Sequence, residues 1–155
     1  MSAKKGRMGF TTALIRSAFL VNAAYAESGR EFGVTPQQGQ LLCVLRAQPF
    51  GMGELGTVLG LAKSSVTGLV DRTERGGLVR REPDPDDSRA VRVVLTPHGR
   101  EVADAFYAKT HQRIEDLPSS LTAGELDALT GLLGRVVEDN NVSVIFPELD
   151  GPTRN

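Results

Sequence analysis

The chain has 155 residues, 40% of them hydrophobic and 24% charged, with a formal net charge of −1. That length suffices for one domain with its own core, or a small domain plus an assembly element, and is cramped for two separate cores. No apolar run approaches the ~20 residues that cross a bilayer. The N-terminal stretch that could mimic a secretory leader is interrupted by Thr11, Thr12, Arg16, Ser17 and Asn22, so no membrane partner and a cytoplasmic location are expected.

The charge is unevenly spread. Residues 1–61 hold six Lys/Arg against three Asp/Glu, residues 62–100 eight against six, and residues 101–155 four against ten. Contact with a polyanion therefore belongs to the first two segments. The single cysteine, Cys43, allows no internal disulfide and sits in the apolar run "LLCVL", where it reads as a small buried hydrophobe.

In chain order, the first predicted helix runs from Phe10 to about Glu31. Its apolar residues fall on two stripes, Phe10/Leu14/Ala18/Val21/Tyr25 and Ile15/Phe19/Ala23, and a helix apolar over so wide an arc needs partners on more than one side. The next helix opens with Thr35 as N-cap, Pro36 at the first position and Gln38 closing a capping box, and "QPFGMG" breaks it. A short helix from about Glu54 to Leu59 stops at Gly60, and a further one, "KSSVTGLVDRTERGG", begins three residues later. Two helices so tightly joined form a helix-turn-helix pattern.

The strand-forming segments after these helices raise the specificity. "LVRRE" and "AVRVVLT" are short β-prone runs, with Val91, Val93 and Leu95 on one face and Arg92 on the other. The intervening "PDPDDSR" contains prolines that cannot donate to a ladder, which makes it a hairpin tip. Thr96 then caps a long helix ending near Leu117, and Thr122 with Glu125 opens a last one that should bury Leu126, Leu129, Leu133 and Val136 or Val137. The expected fold is a single domain over 1–155, mainly α with a small β hairpin. A winged helix-turn-helix lobe occupies 34–96, and helical segments 8–32 and 97–146 exceed what it needs. Those segments are expected to pack against a second copy of the chain.

Candidate chemistry is sparse. Asp84, Asp86 and Ser88 alternate as the first ligands of a calcium loop do, but Arg89 and Leu95 stand where that loop needs glycine and a bidentate glutamate. His98, His111, Cys43 and Ser64 belong to no nucleophile elbow, phosphate loop or HExxH spacing, so no catalytic role and no cofactor are expected.

The stretch "DDSRAVRVVLTPHG" resembles the wing signature of the multiple-antibiotic-resistance regulator (MarR) family: Asp, any residue, Arg, five residues, Leu-Thr, two residues, Gly. Asp87, Arg89, Leu95, Thr96 and Gly99 fill all five places. The resemblance implies a homodimeric repressor that binds double-stranded DNA at a pseudo-palindromic operator and is relieved by a small-molecule effector. It implies a recognition helix whose Lys63, Ser64, Ser65 and Thr67 face the major groove or its phosphates, with Arg72 meeting a phosphate or pairing with Asp71 or Glu74. Arg89 would be the minor-groove arginine, and Asp87 would brace the wing arginines, Arg80 and Arg92 among them. An effector cleft between the first, second and fifth helices would include Arg16, Tyr25 or His98. The alternatives are a metal-responsive regulator of this fold, with His98 and His111 on zinc, and a winged helix used only for protein contact. Three departures from the family stand out: Ala62 in place of a capping hydroxyl, Gly68 in place of a polar side chain, and Thr73 in place of a larger apolar one.

Overall fold

The computed structural model describes residues 6–141. The last part of the expected C-terminal segment, 142–146, lies outside the described residues. The elements are α1 (Phe10–Phe32), α2 (Pro36–Ala47), β1 (Phe50–Gly51), α3 (Met52–Leu59), α4 (Lys63–Arg75), β2 (Val79–Pro83), β3 (Val91–Leu95), α5 (Pro97–Glu115) and α6 (Ala123–Asp139).

Local chemistry explains most boundaries. The Thr35–Gln38 and Thr122–Glu125 capping boxes are both formed, each side chain taking the other residue's backbone N–H. Gly33 and Gly60 end α1 and α3 in left-handed conformation. The strands depart from expectation. Instead of a bare hairpin there is a three-stranded antiparallel sheet in the order β1-β3-β2, with Phe50 opposite Val93 and Arg81 also opposite Val93. A two-residue strand has no periodicity to read, so "QPFGMG" looks like a plain break. It also starts α3 at Met52 rather than Glu54, because Gly51 takes the N-cap position. On β3, Val93 is fully buried and Val94 nearly so, whereas Val91 is exposed where the hairpin runs out beyond the core.

The core of the winged lobe joins Leu41, Leu42 and Leu45 of α2, Leu55 of α3, Val66, Leu69 and Val70 of α4, and Val79 and Val93 of the sheet. Thr73 belongs to it too: its hydroxyl donates to the Leu69 carbonyl at 2.7 Å, which lets a polar residue occupy a fully buried place. A second packing centre is Phe106 of α5, fully buried, with the rings of Tyr25 and Phe32 at 5.8 and 6.2 Å. Gly39 of α2 faces it, and a Cβ there would overlap the Phe106 ring. This cluster ties α1, α2 and α5 together.

The wing joins α5 through a tight junction. Thr96 accepts the Gly99 N–H on its hydroxyl at 2.9 Å, donates that hydroxyl to the Gly77 carbonyl at 2.6 Å, and gives its own N–H to the Leu78 carbonyl at 3.1 Å. Gly99 lies so close to Leu78 that a Cβ would overlap the Leu78 carbonyl oxygen. The Leu-Thr and Gly of the sequence signature thus have a steric and hydrogen-bonding cause.

The outer helices differ from this centre. No residue of α6 is buried within the protomer, and the leucines expected in a core, Leu126, Leu129 and Leu133, stand open beside Leu132 at 60% exposure. On α1, Phe10, Leu14, Ile15, Phe19 and Leu20 are likewise uncovered. Contiguous apolar faces of this kind are uncommon on monomers.

Gly99→Ala is expected to lower unfolding stability by about 3 kcal/mol through overpacking against backbone that has no room to yield. Gly124→Ala, with nothing near its added methyl group, should cost nothing. Urea unfolding of both checks this, and a Gly99→Ala loss below about 1 kcal/mol would sink it.

Candidate nucleic-acid interface

The exposed side of α4 carries Lys63, Ser64, Ser65, Thr67 and Arg72. Ala62 occupies the N-cap and supplies no side-chain bond, and Ser64 does not take over that task. The first turn therefore points N–H groups outward without a side-chain cap, beside the Lys63 ammonium. Thr67 donates its hydroxyl to the Lys63 carbonyl at 3.1 Å.

Arg72 stands exposed and pairs with neither Asp71 nor Glu74. Both carboxylates are held by Arg81 of β2, at 2.7 Å to Asp71 and 3.1 Å to Glu74. The Arg72 guanidinium instead lies along the helix over Gly68, where a Cβ would come within 3.2 Å of it. The missing side chain at Gly68 makes room for that arginine.

The wing tip folds on its own carboxylates. Asp84 accepts the Asp86 N–H at 2.8 Å, Asp87 accepts the Arg89 N–H at 3.0 Å, and two backbone bonds, Asp84 N–H to Ala90 and Ala90 N–H to Asp87, close the loop. Arg89 projects from it, exposed and without an ion pair among the described residues. The expected brace needs correction. Asp87 holds backbone, not guanidinium; the acid that gathers the wing arginines is Glu82, with Arg92 at 2.6 Å and Arg80 at 3.0 Å. The strand register puts Glu82 directly opposite Arg92, whereas the short Asp87 side chain is already engaged by its own turn. The Arg92 hydrogen bond holds the Glu82 carboxyl below its ordinary range; loss of solvent opposes it, and the Arg92 and Arg80 charges add to the lowering.

Of the expected cleft residues, Tyr25 lines a cavity of about 360 Å³, together with Cys43 and Val44 of α2, Val58 of α3, and Tyr107 and His111 of α5. Arg16 and His98 do not line it. Arg16 is exposed on the N-terminal half of α1, and His98 is exposed at the opposite end of α5. The residues that replace them, Tyr107 and His111, share one face of α5 at four-residue spacing, a signal present in the sequence. His111 stacks on Tyr107 at 3.8 Å, and the Arg46 guanidinium lies 3.9 Å from the Tyr107 ring while pairing with Asp104. Burial holds the His111 imidazole below its usual range, Glu115 opposes, and Arg46 adds to the lowering. Burial pushes the Tyr25 phenol up to about 12 and the Cys43 thiol up to about 11.

His98 and His111 lie thirteen residues apart on α5, about 20 Å along the helix axis, so one ion cannot join them within a protomer. Among the described residues no three His, Cys, Asp or Glu side chains come together as a metal site, and no helix is long and apolar enough to cross a membrane.

Comparison with known proteins places this geometry. Residues 32–90 match the MarR family. The multiple antibiotic resistance protein MarR of Salmonella typhimurium is 32% identical over 106 residues, covering 67% of this chain and 74% of that one. The chain belongs to the MarR family. The transcriptional repressor NicR of Pseudomonas putida is 31% identical over 129 residues, 82% of each chain. A crystal structure of a mutant MarR from Escherichia coli complexed with operator DNA superposes with a TM-score of 0.71 at 26% identity, over 88% of this chain and 99% of that one. In this MarR-family member α3 and α4 form the helix-turn-helix, and β2, β3 and their connecting loop form the wing.

At pH 7.5 the Cys43 thiolate should be about a hundredfold scarcer than at a thiol with the ordinary value of 9.0, given its shift to about 11. Iodoacetamide alkylation followed by mass spectrometry should be slower than for free cysteine by at least about tenfold, since the greater nucleophilicity of a more basic thiolate offsets part of its scarcity. A rate within tenfold of free cysteine would refute the buried, protonated thiol.

Proposed function

We propose that this MarR-family protein is a homodimeric repressor that binds a pseudo-palindromic operator. Lys63, Ser64, Ser65 and Thr67 of each protomer meet the major groove, Arg72 meets a backbone phosphate, and Arg89 enters the flanking minor groove. The observation that carries this reading is that the two cationic side chains best placed to meet DNA, Arg72 on α4 and Arg89 on the wing, are exposed and without a carboxylate partner among the described residues. Apart from Asp86, the acids near them are engaged elsewhere, by Arg81, Arg80, Arg92 or the wing backbone.

Dimerisation supplies the half-site spacing. The uncovered faces of α1 and α6 (Phe10, Phe19, Leu126, Leu129, Leu132) support a second copy as their partner. The E. coli MarR structure with operator DNA and the NicR repressor name support DNA and repression as the destination. The cavity beside Tyr25, Tyr107 and His111, between the outer helices and the winged lobe, supports relief by a small, largely apolar effector. The protein acts in the cytoplasm and carries no catalytic centre.

Mobility-shift titrations over the promoters flanking its own gene should give a complex at nanomolar protein, with affinity falling steeply as salt rises. Arg89→Ala should weaken that complex by about tenfold when the half-site flanks are A/T-rich. Unchanged affinity would remove Arg89 from the interface, and no shift on any such promoter at low salt would defeat the reading as a whole.

Sedimentation should find the wild-type chain dimeric at micromolar concentration. The double variant Phe19→Glu, Leu132→Glu should sediment as a monomer and lose operator binding. A wild-type monomer would overturn the dimer.

A further inference from the structure

We infer that Arg81 is a positioning residue for DNA binding. It holds the two carboxylates of the recognition helix, so that Asp71 and Glu74 neither repel phosphate nor capture Arg72 and Arg75. The inference rests on the proposed DNA-binding role of α4 and goes beyond it, because it assigns Arg81 to the acids of α4 and not to DNA.

Asp71 lies one turn beyond Thr67 and two turns beyond Ser64, on the side of α4 that carries the groove-facing residues. Left alone, a carboxylate there faces a polyanion. It also stands four residues before Arg75, the spacing and order in which an acid pairs best with a base on a helix. Neither happens. The Arg81 guanidinium reaches from the sheet, with one nitrogen on Asp71 at 2.7 Å and the other on Glu74 at 3.1 Å. The backbone N–H of Arg81 adds a bond to the second Glu74 oxygen at 2.9 Å. Since β2 is an edge strand of the sheet, that N–H would otherwise be an open edge donor.

The result is a closed network of one cation, two anions and one backbone donor. It leaves Arg72 and Arg75 exposed and without ion pairs among the described residues. It also fixes the β2 end of the wing to the C-terminal half of α4, so the two DNA-contacting parts move as one body. A lysine is a poorer substitute, because its single ammonium nitrogen does not reproduce the planar fork that reaches both acids from two nitrogens.

The test is a double-mutant cycle read on a mixed-sequence duplex of about 30 base pairs at low salt, since phosphate contacts are sequence-independent. Arg81→Gln should weaken binding about tenfold in the wild-type background and by less than about twofold in an Asp71→Asn, Glu74→Gln background, where nothing is left to restrain. Were Arg81 a direct phosphate ligand, or a contributor of bulk charge alone, the loss would be equal in both backgrounds. Equal losses overturn the inference.

Thermal melts of each variant accompany the titrations. If Arg81→Gln does not fold, the charge-conserving Arg81→Lys decides in the same way: loss in the wild-type background and none in the acid-free one supports the inference, and loss in neither or in both overturns it. A wild-type protein that binds no duplex at any salt fails the DNA-binding reading itself, which is a different result from binding with additive losses.

Discussion

The structure turns on the contact between the first turn of α5 and the backbone at Leu78. Thr96 there serves three bonds at once: a cap to Gly99, a hydroxyl donated to Gly77, and a strand N–H given to Leu78. Gly99 is the residue that permits the approach, since any side chain would meet the Leu78 carbonyl. The junction fixes where the sheet stops and at what angle the long helix leaves. Through Gly77, the left-handed residue just beyond the Gly76 cap of α4, with a φ of 75°, it also fixes where α4 stops. Helix, wing and outer helix are thereby referred to one point, a few ångströms across.

A second constraint is electrostatic. A chain of net charge −1 that is to meet a polyanion must deal with its own acids wherever it does so. Between residues 71 and 87 it carries Asp71, Glu74, Glu82, Asp84, Asp86 and Asp87, and the fold engages five of them through specific donors. Arg81 takes the first two, Arg92 and Arg80 take Glu82, and the turn backbone takes Asp84 and Asp87. Exposed ion pairs contribute little to stability, commonly under about 1 kcal/mol each. What they do here is occupy carboxylates, which leaves Arg72 and Arg89 without an ion pair among the described residues.

The parts of the fold that were legible in the sequence are those whose cause is local. Capping boxes at Thr35 and Thr122, the cap at Thr96 and the glycine stop at Gly60 depend on residues within four positions of one another, and all formed. Strand β1 was not legible, because two residues hold no pattern and its pairing partner lies some forty positions on. The Glu82 brace was concealed for a related reason: which acid faces Arg92 depends on hairpin register, and Asp87 is nearer in sequence but spent on its own turn. The cleft residues show the same limit. Arg16 and His98 have suitable chemistry on the expected helices, yet position along a helix decides which side chains reach a cavity, and Tyr107 and His111 hold those positions.

The apolar residues of α1 and α6 separate into two kinds, and the separation says how the molecule is assembled. On α1, the C-terminal half is covered: Tyr25 and Phe32 pack on Phe106, and Arg113 of α5 bridges to Ser28 and Glu31 at 2.8 Å each. The N-terminal half, with Phe19 at 68% exposure, is not, and neither is any of α6. A helix anchored at one end and apolar at the other is a lever with its load outside the protomer. Since α5 is fixed to α1 by Arg113 near one end and to the wing by Gly99 at the other, a change in how two copies sit together would be carried along a single helix to the Leu78 junction. The cavity beside Tyr107 and His111 lies along that helix between its two anchors. An effector seated there would therefore act on the relative placement of the paired helices and the winged lobe, without touching a DNA-facing side chain.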